Sequence, residues 1–540
     1  MTAALEFTVD GRSVEVPDDG TSLMEVLRDR LGIHTVKDGC SPQGQCGCCT
    51  VWVDGKPRVS CVTPARRVAG REITTLAGLP SDTCAAWGEA FCAAGASQCG
   101  FCTPGIIMRL AGLDARLDQD RPRSSGATAL AAHLCRCTGW QTILEAWEHF
   151  GADAPGRDWA AAGRRAEIEG GVAQAVGPEV ALGEGGFADD TGPNGALVAL
   201  SDGRGGWVLG ETVAEARAVA GKVQGRRTPT ELPMPLEFPE GDWAVRLRTS
   251  WVEPAYLETD ASWCVPGGEP ASPLANGGAF GAKLASPLPE VARRLADEHG
   301  RPVRVLWSRE DCVRHGPKRP PVAIGINADG QGVVRVVRTP GVADAVASVS
   351  SALTVEEVDI AGPPTSVAIR GAGWVEAAVA LSALGDGFQP ITSPGGGSAR
   401  AEWNGGSLRI QAYGGEPLDE VVLRSYCIGA AHMAYSWVTS EALTVGPDGE
   451  VHDLTIRSFG VVPASRMPPV EVEIESSGGP PVNCSDAVFA AVAAATWRAA
   501  GHPPDWPTGR LDAQSAASSR TSRWSPDWPT GRLDAQSDSP

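Results

Sequence analysis

An excess of positive charge is missing from this chain: 46 Lys and Arg face 65 Asp and Glu, for a formal net charge of −19. That balance argues against nucleic acid or an anionic membrane as a partner, since both attract basic surfaces. Long apolar runs are missing too. No segment approaches the roughly 18 uninterrupted apolar residues of a membrane span. The opening MTAALEFTVDGRSVEV has no basic start followed by an apolar stretch, so no secretory signal is expected. Aromatic residues make up only 6%. A cytoplasmic, water-soluble protein is the expectation.

What is abundant is Gly (66), Pro (42) and, above all, Cys (15). The first two predict loop-rich regions, while 42% hydrophobic and 21% charged residues are an ordinary globular mixture. A length of 540 residues predicts three or four domains. In a reducing cytosol, clustered cysteines hold metal or do redox chemistry rather than form disulfides. Eleven of the fifteen precede residue 138; Cys264, Cys312, Cys427 and Cys484 follow singly, without a spacing pattern. These four, with Cys84 and Cys92, read as buried reduced thiols.

Period-2 alternation on either side of Asp10-Gly11 predicts a β-hairpin. Ser22 and Glu25 make a capping-box pattern ahead of a short helix that Gly32 stops. A Gly- and Cys-rich loop, a second hairpin around Asp54-Gly55 and a last strand at 73–76 complete an α+β unit of the β-grasp kind. From about residue 83 helical segments take over, at 85–96, 104–113, 127–134 and 142–150. The expected domains are therefore 1–79, ferredoxin-like; 80–150, four-helix; 151–175, a linker; 176–502, a mixed α+β region; and 503–540, a disordered tail. Within the tail PDWPTGRLDAQS occurs twice, at Pro504–Ser515 and Pro526–Ser537, and reads as a duplication with no binding role for Trp506 or Trp528.

The first cysteine set is Cys40-x5-Cys46-x2-Cys49-x11-Cys61. Plant-type [2Fe–2S] sites use C-x4-C-x2-C and a more distant cysteine. The loop must wrap a cluster while its amides donate to sulfur, and Gly39, Gly44 and Gly47 permit that close approach. One extra residue separates Cys40 from Cys46, and Cys48 adjoins Cys49. Cys49 keeps the x2 spacing and leads into a strand, so it is the expected third ligand. The second set is Cys99-x2-Cys102-x32-Cys135-x-Cys137. A four-cysteine zinc site is the alternative for either set, chiefly the second. Neither contains a His, which argues against a Rieske-type centre.

These segments, KDGCSPQGQCGCCTV, QCGFCTPG and HLCRCTGWQTI, closely resemble the iron–sulfur portion of the xanthine oxidase and aldehyde oxidoreductase family of molybdenum hydroxylases. The resemblance implies one [2Fe–2S] cluster in each of the first two domains. Electrons would pass from a molybdenum–pterin centre through the second cluster to the first, then to FAD or another acceptor. It implies that Gln98 contacts the pterin. GGFADD (Gly185–Asp190), GGAFGAK (Gly277–Lys283, with Gly278 and Phe280) and RGAGWVE (Arg370–Glu376) resemble segments of the family's molybdenum-binding part. So do GRPVRVLWSRED (Gly300–Asp311), IGAAHM (Ile428–Met433) and DLTIRSFG (Asp453–Gly460). No FAD-domain segment is recognisable, so flavin would come on another polypeptide.

The 176–500 region is shorter than a complete molybdenum-binding part. The family's late G-x-G-E-P motif carries the general base, and its counterpart Ser477–Pro481 puts Gly479 at the Glu; a competing register puts Asp486 there. No catalytic residue is assigned, and molybdopterin on this chain stays open. Phe280 and Arg370 each have a bland alternative, a core aromatic and a carboxylate-paired cation. The isolated His432 and His452 read as structural. The expected function is the iron–sulfur electron-transfer component of a molybdenum hydroxylase, with a partner subunit supplying molybdenum, flavin or both. The alternatives are a self-contained, FAD-lacking hydroxylase of an aldehyde or N-heterocycle, and a zinc-stabilised non-enzymatic protein. Substrate and oligomeric state are not legible.

Overall fold

The computed structural model describes residues 4–115, 121–152, 156–221, 233–385, 387–475 and 478–509. Both Asp-Gly pairs turn hairpins. Asp10 and Asp54 take φ of 49° and 48°, and Gly11 and Gly55 take 77° and 69°, the double positive φ of a tight two-residue turn. Strands β1 (Ala4–Val9), β2 (Arg12–Pro17), β3 (Thr50–Val53), β4 (Lys56–Val59) and β5 (Glu72–Thr74) form one sheet, ordered β2-β1-β5-β3-β4. β1 and β5 are parallel and the other pairs antiparallel, which is the β-grasp arrangement. Across the sheet the capping box forms: the Glu25 amide donates to Ser22 Oγ at 3.3 Å, and the Ser22 amide donates to Glu25 Oε2 at 3.0 Å. The helix it starts widens into a π-type turn at Val26–Arg30, and Gly32 ends it at φ 66°.

Helices α1 (Ser81–Ala94), α2 (Thr103–Asp114), α3 (Arg123–Ala129) and α4 (Gln141–Glu148) make the second unit. Its core is aromatic: Trp87 stacks with Phe150 at 3.9 Å and with Trp147 at 6.4 Å between ring centroids. The stretch expected to be a linker, 151–175, instead carries α5 (Trp159–Gly170), capped by Asp158, whose carboxylate accepts from the Ala160 and Ala161 amides at 3.0 Å. Its buried face is alanine plus an Arg165–Glu169 pair with no exposed side-chain surface, so no hydrophobic stripe marks it in the sequence.

Beyond it, among the described residues, lie three four-stranded sheets. The long helices α6 (Glu420–Thr439) and α7 (Ser485–Ala499) run through the largest apolar core. α6 is buried around nearly its whole circumference, as befits a central helix. The tail also differs from its expectation. Residues 503–509 are built into the fold, and Trp506 is 1% exposed. Its edge meets Trp437 at 4.6 Å and Trp497 at 5.8 Å. Residues 510–540, with the second repeat, lie outside the described residues.

His432, on α6, is fully buried, with Nε2 set against the Val462 carbonyl at 2.8 Å. Burial, with Arg136 adding to it, pushes its imidazole from 6.5 down to about 4. An unfolded chain takes up this proton near 6.5 and the native one does not. The contribution is therefore complete above pH 6.5 and is lost on acidification toward pH 4, at about 1.4 kcal/mol per pH unit. His432→Gln, which keeps a donor for Val462, should flatten the pH dependence of unfolding free energy over that window by about one proton.

Candidate iron–sulfur sites

In the first set the loop from Gly39 to Cys49 turns back on itself through positive φ at Ser41, Gly44 and Gly47. This brings the Gln43 and Gln45 amides to 3.2 and 3.5 Å from Cys40 Sγ, donating to it. Cys40 also receives hydrogen bonds from Cys46 and Cys61, which hold its thiol well below the usual range. Cys61 in turn contacts Cys49, and these contacts raise the Cys61 thiol. The sulfurs thus run Cys48–Cys46–Cys40–Cys61–Cys49. All five are buried. Cys49 lies with Cys61 in the core of the β-grasp unit, while Cys40, Cys46 and Cys48 lie in the core that also holds Cys102 and Cys135.

In the second set Cys99 Sγ and Cys137 Sγ stand 3.7 Å apart. Cys102 and Cys135 form the other pair, and Cys135 is pulled down to about 6, first by its Cys102 hydrogen bond and then by Thr138 against the opposing effect of burial. Cys102 caps α2, with Pro104 in the first turn. Cys99 and Cys137 are half-buried, whereas Cys102 and Cys135 are buried.

One backbone hydrogen bond joins the two sets: the Leu134 amide donates to the Cys46 carbonyl at 2.9 Å. Each of those residues is a predicted ligand or its immediate neighbour. Gly105 on α2 lies so close that a Cβ would come within 2.8 Å of Cys48 Cα. A Cβ on Gly47 would enter the His133 ring, whose Nε2 lies 3.1 Å from Thr50 Oγ1. Only glycine permits this approach. Burial pushes His133 down to about 3, so it packs as a neutral ring.

The sulfurs fit iron–sulfur clusters. Thiolates about 2.3 Å from a shared tetrahedral metal are separated by roughly 3.7 Å, the spacing of Cys99 and Cys137. In the first set Cys40 contacts both Cys46 and Cys61, and in the second Cys99 pairs with Cys137 and Cys102 with Cys135.

The residues of the implied pterin site are only partly gathered. Gly278, Phe280 and Arg370 line one cavity of about 140 Å³ with Glu169, Asn483 and Asp486. Phe280 and Arg370 hold φ of 54° and 48°, strained for residues with side chains. Gln98 stands apart from that cavity. Its Nε2 donates to the Cys137 carbonyl and to Ser425 Oγ, both at 3.0 Å, so both amide hydrogens are engaged within the chain. Arg370 donates to Asp486 at 3.1 Å and to Ser485 at 3.0 Å, and its guanidinium lies 4.9 Å over the Phe280 ring. Arg370 is thus already paired with Asp486, and Glu169 with Arg165, so the cation of this lining is taken, a poor match for an anionic pterin phosphate. Asp486, rather than Gly479, shares this cavity with Phe280 and Arg370. Sequence reasoning missed Glu169 and Asn483, which no motif flags.

The region after residue 156 clamps both cysteine loops. Arg309 donates to the Gly39 carbonyl at 2.8 Å, and Gln43 donates to the Leu454 carbonyl at 2.8 Å. Arg136, between Cys135 and Cys137, makes a buried two-pronged contact with Glu441 at 2.6 and 2.7 Å. α6 lies directly on the second set, where a Cβ on Gly429 would collide with the Cys137 carbonyl.

Two family profiles match: a 2Fe-2S iron–sulfur cluster binding domain over residues 2–77 and a [2Fe-2S] binding domain over 75–148. The chain is 40% identical over 153 residues to the xanthine dehydrogenase iron–sulfur-binding subunit of Escherichia coli O157:H7, covering 26% of this chain and 91% of that one. The chain belongs to the xanthine dehydrogenase and aldehyde oxidoreductase family of molybdenum hydroxylases. The caffeine dehydrogenase subunit gamma of a Pseudomonas species is 39% identical over 146 residues, 26% of this chain and 87% of that one. Against the aldehyde oxidoreductase of Megalodesulfovibrio gigas the match is 39% over 143 residues, only 16% of that longer protein. In structure, the Desulfovibrio desulfuricans aldehyde oxidoreductase aligns over 96% of this chain and 100% of its own, with a TM-score of 0.69 and 14% identity. The mixed α+β fold of these oxidoreductases therefore extends well past the cysteine-rich domains. Like its relatives the chain is an oxidoreductase with two [2Fe–2S]-binding domains, which support an electron-transfer role.

Glu441→Gln leaves the buried Arg136 charge without its partner and should destabilise the protein by about 3–5 kcal/mol. The apolar double replacement Arg136→Met with Glu441→Leu should recover most of that loss in denaturant unfolding.

Proposed function

We propose that this chain is the electron-transfer component of a molybdenum hydroxylase whose molybdenum centre, and flavin if one is used, reside on partner subunits. The observation that carries this reading is the gathering of buried and half-buried thiols in two sets joined by the Leu134–Cys46 hydrogen bond. Cys99 with Cys137 and Cys102 with Cys135 are the ligand pairs of one cluster; Cys40 with Cys46 and Cys49 with Cys61 are those of the other. When bound, each [2Fe–2S] cluster takes up and releases one electron at a time.

The protein's own residues do the rest. Amides of Gln43 and Gln45 and the Thr138 hydroxyl offset thiolate charge, which favours a reduced cluster. The clamp by Arg309, Gln43 and Arg136 excludes water and fixes the separation of the sets. Electrons enter at the half-buried Cys99–Cys137 edge, which shares a small cavity with Phe280 and Lys283. Their exit is through the first set, toward flavin or another acceptor. No proton-transfer or hydroxylation step is assigned to Asp486 or Arg370, whose charges already satisfy each other.

Anaerobically purified protein should hold about four irons and equal labile sulfide per chain, with no stoichiometric zinc. Molybdenum near one atom per chain would instead make the chain a self-contained hydroxylase. Cys49→Ala should remove one paramagnetic signal and Cys135→Ser the other, while Cys48→Ala should spare both. Loss of a signal in Cys48→Ala would reverse the third-ligand assignment.

A further inference from the structure

The first copy of the repeated segment is a docked clasp. Trp506 fills a slot walled by Trp437 on α6 and Trp497 on α7. Asp505 accepts two hydrogen bonds from Arg248, at 2.8 and 2.9 Å. The backbone is held at three points: the Arg248 amide donates to Pro504, the Trp506 amide to the Arg248 carbonyl, and the Thr508 amide to the Val438 carbonyl, at 2.6, 2.9 and 2.8 Å. Every one of these contacts is made by residues of PDWPTG, and the same six residues recur, unchanged, at Pro526–Gly531.

We propose that the second copy is a spare occupant of this slot, able to replace the first within the same molecule. Within PDWPTG the two copies present identical side chains and backbone donors, so those contacts do not discriminate between them. What favours the first copy is the packing of His502 on Trp497, just before the repeat, and the tether. From the end of α7 at Ala499 the first copy begins 5 residues on (504 − 499) and the second 27 residues on (526 − 499). Closure probability falls as about the three-halves power of length, which favours the first copy roughly tenfold. Emptying the slot is far worse, since truncating a fully buried Trp lowers a folding equilibrium roughly a hundred- to a thousandfold. The second copy therefore takes over once the first is damaged. The slot matters because α6, which forms one wall, is also the helix seated on Cys137.

The test compares Trp506→Ala, Trp528→Ala and the double variant in the full chain. Trp528→Ala should unfold like the parent, and Trp506→Ala should lose roughly tenfold in its folding equilibrium. The double variant should lose roughly ten- to a hundredfold more than Trp506→Ala, a non-additivity that separate structural roles do not produce. Hydrogen exchange gives a second readout if the double variant does not fold. Protection at the Thr508 amide in the parent should move to the Thr530 amide in Trp506→Ala. Equal stability of Trp506→Ala and the double variant, or no protection gained at Thr530, would overturn the proposal. So would a Trp506→Ala stability that rises with protein concentration alongside a dimer, because the occupant would then come from a second molecule.

Discussion

Two sets of thiols can exchange electrons only if the loops that carry them are held together, and one backbone hydrogen bond joins those loops directly. The Leu134 amide reaches the Cys46 carbonyl at 2.9 Å. The β-grasp loop needs positive φ at Gly44 and Gly47 to present that carbonyl, and α2 needs Gly105 where it crosses Cys48. Burial follows from the same constraint. With the first loop against the second set, Cys40, Cys46 and Cys48 share a core with Cys102 and Cys135, and Cys49 lies with Cys61.

The remainder of the chain serves this arrangement by covering it. Charges are buried where the cover meets the sets, as Arg136 with Glu441 and Arg28 with Asp189 and Asp190. A buried pair of this kind adds little net stability but penalises strongly any arrangement that separates the partners. It therefore fixes registry between units that apolar contacts alone would let slide. Phe187, from the GGFADD segment, adds an edge contact to Phe101 at 5.1 Å, two residues from Cys99.

The legible parts of the fold were those governed by local chemistry. Asp10-Gly11, Asp54-Gly55 and the Ser22–Glu25 box each act over a few residues, and the cysteine spacing follows from ligand geometry. α5 was missed because its buried face is alanine and an internal ion pair, which produce no apolar period. α6 showed only as a short family-like segment, because a helix buried all round has no polar face to reveal its pitch. Trp506 was misread because its composition resembles that of a disordered tail, while its anchoring depends on Trp437, Trp497 and Arg248 far away in the chain. Gln98 was placed by resemblance at a pterin; in the structure its two amide hydrogens serve Cys137 and Ser425.

Low-temperature electron paramagnetic resonance of the dithionite-reduced protein is the most direct test of two clusters held side by side. Two distinct signals, each split by its neighbour and each simplified when Cys49→Ala or Cys135→Ser removes the other cluster, are expected. A single signal, or two that never influence one another, contradicts the pinned pair of sites.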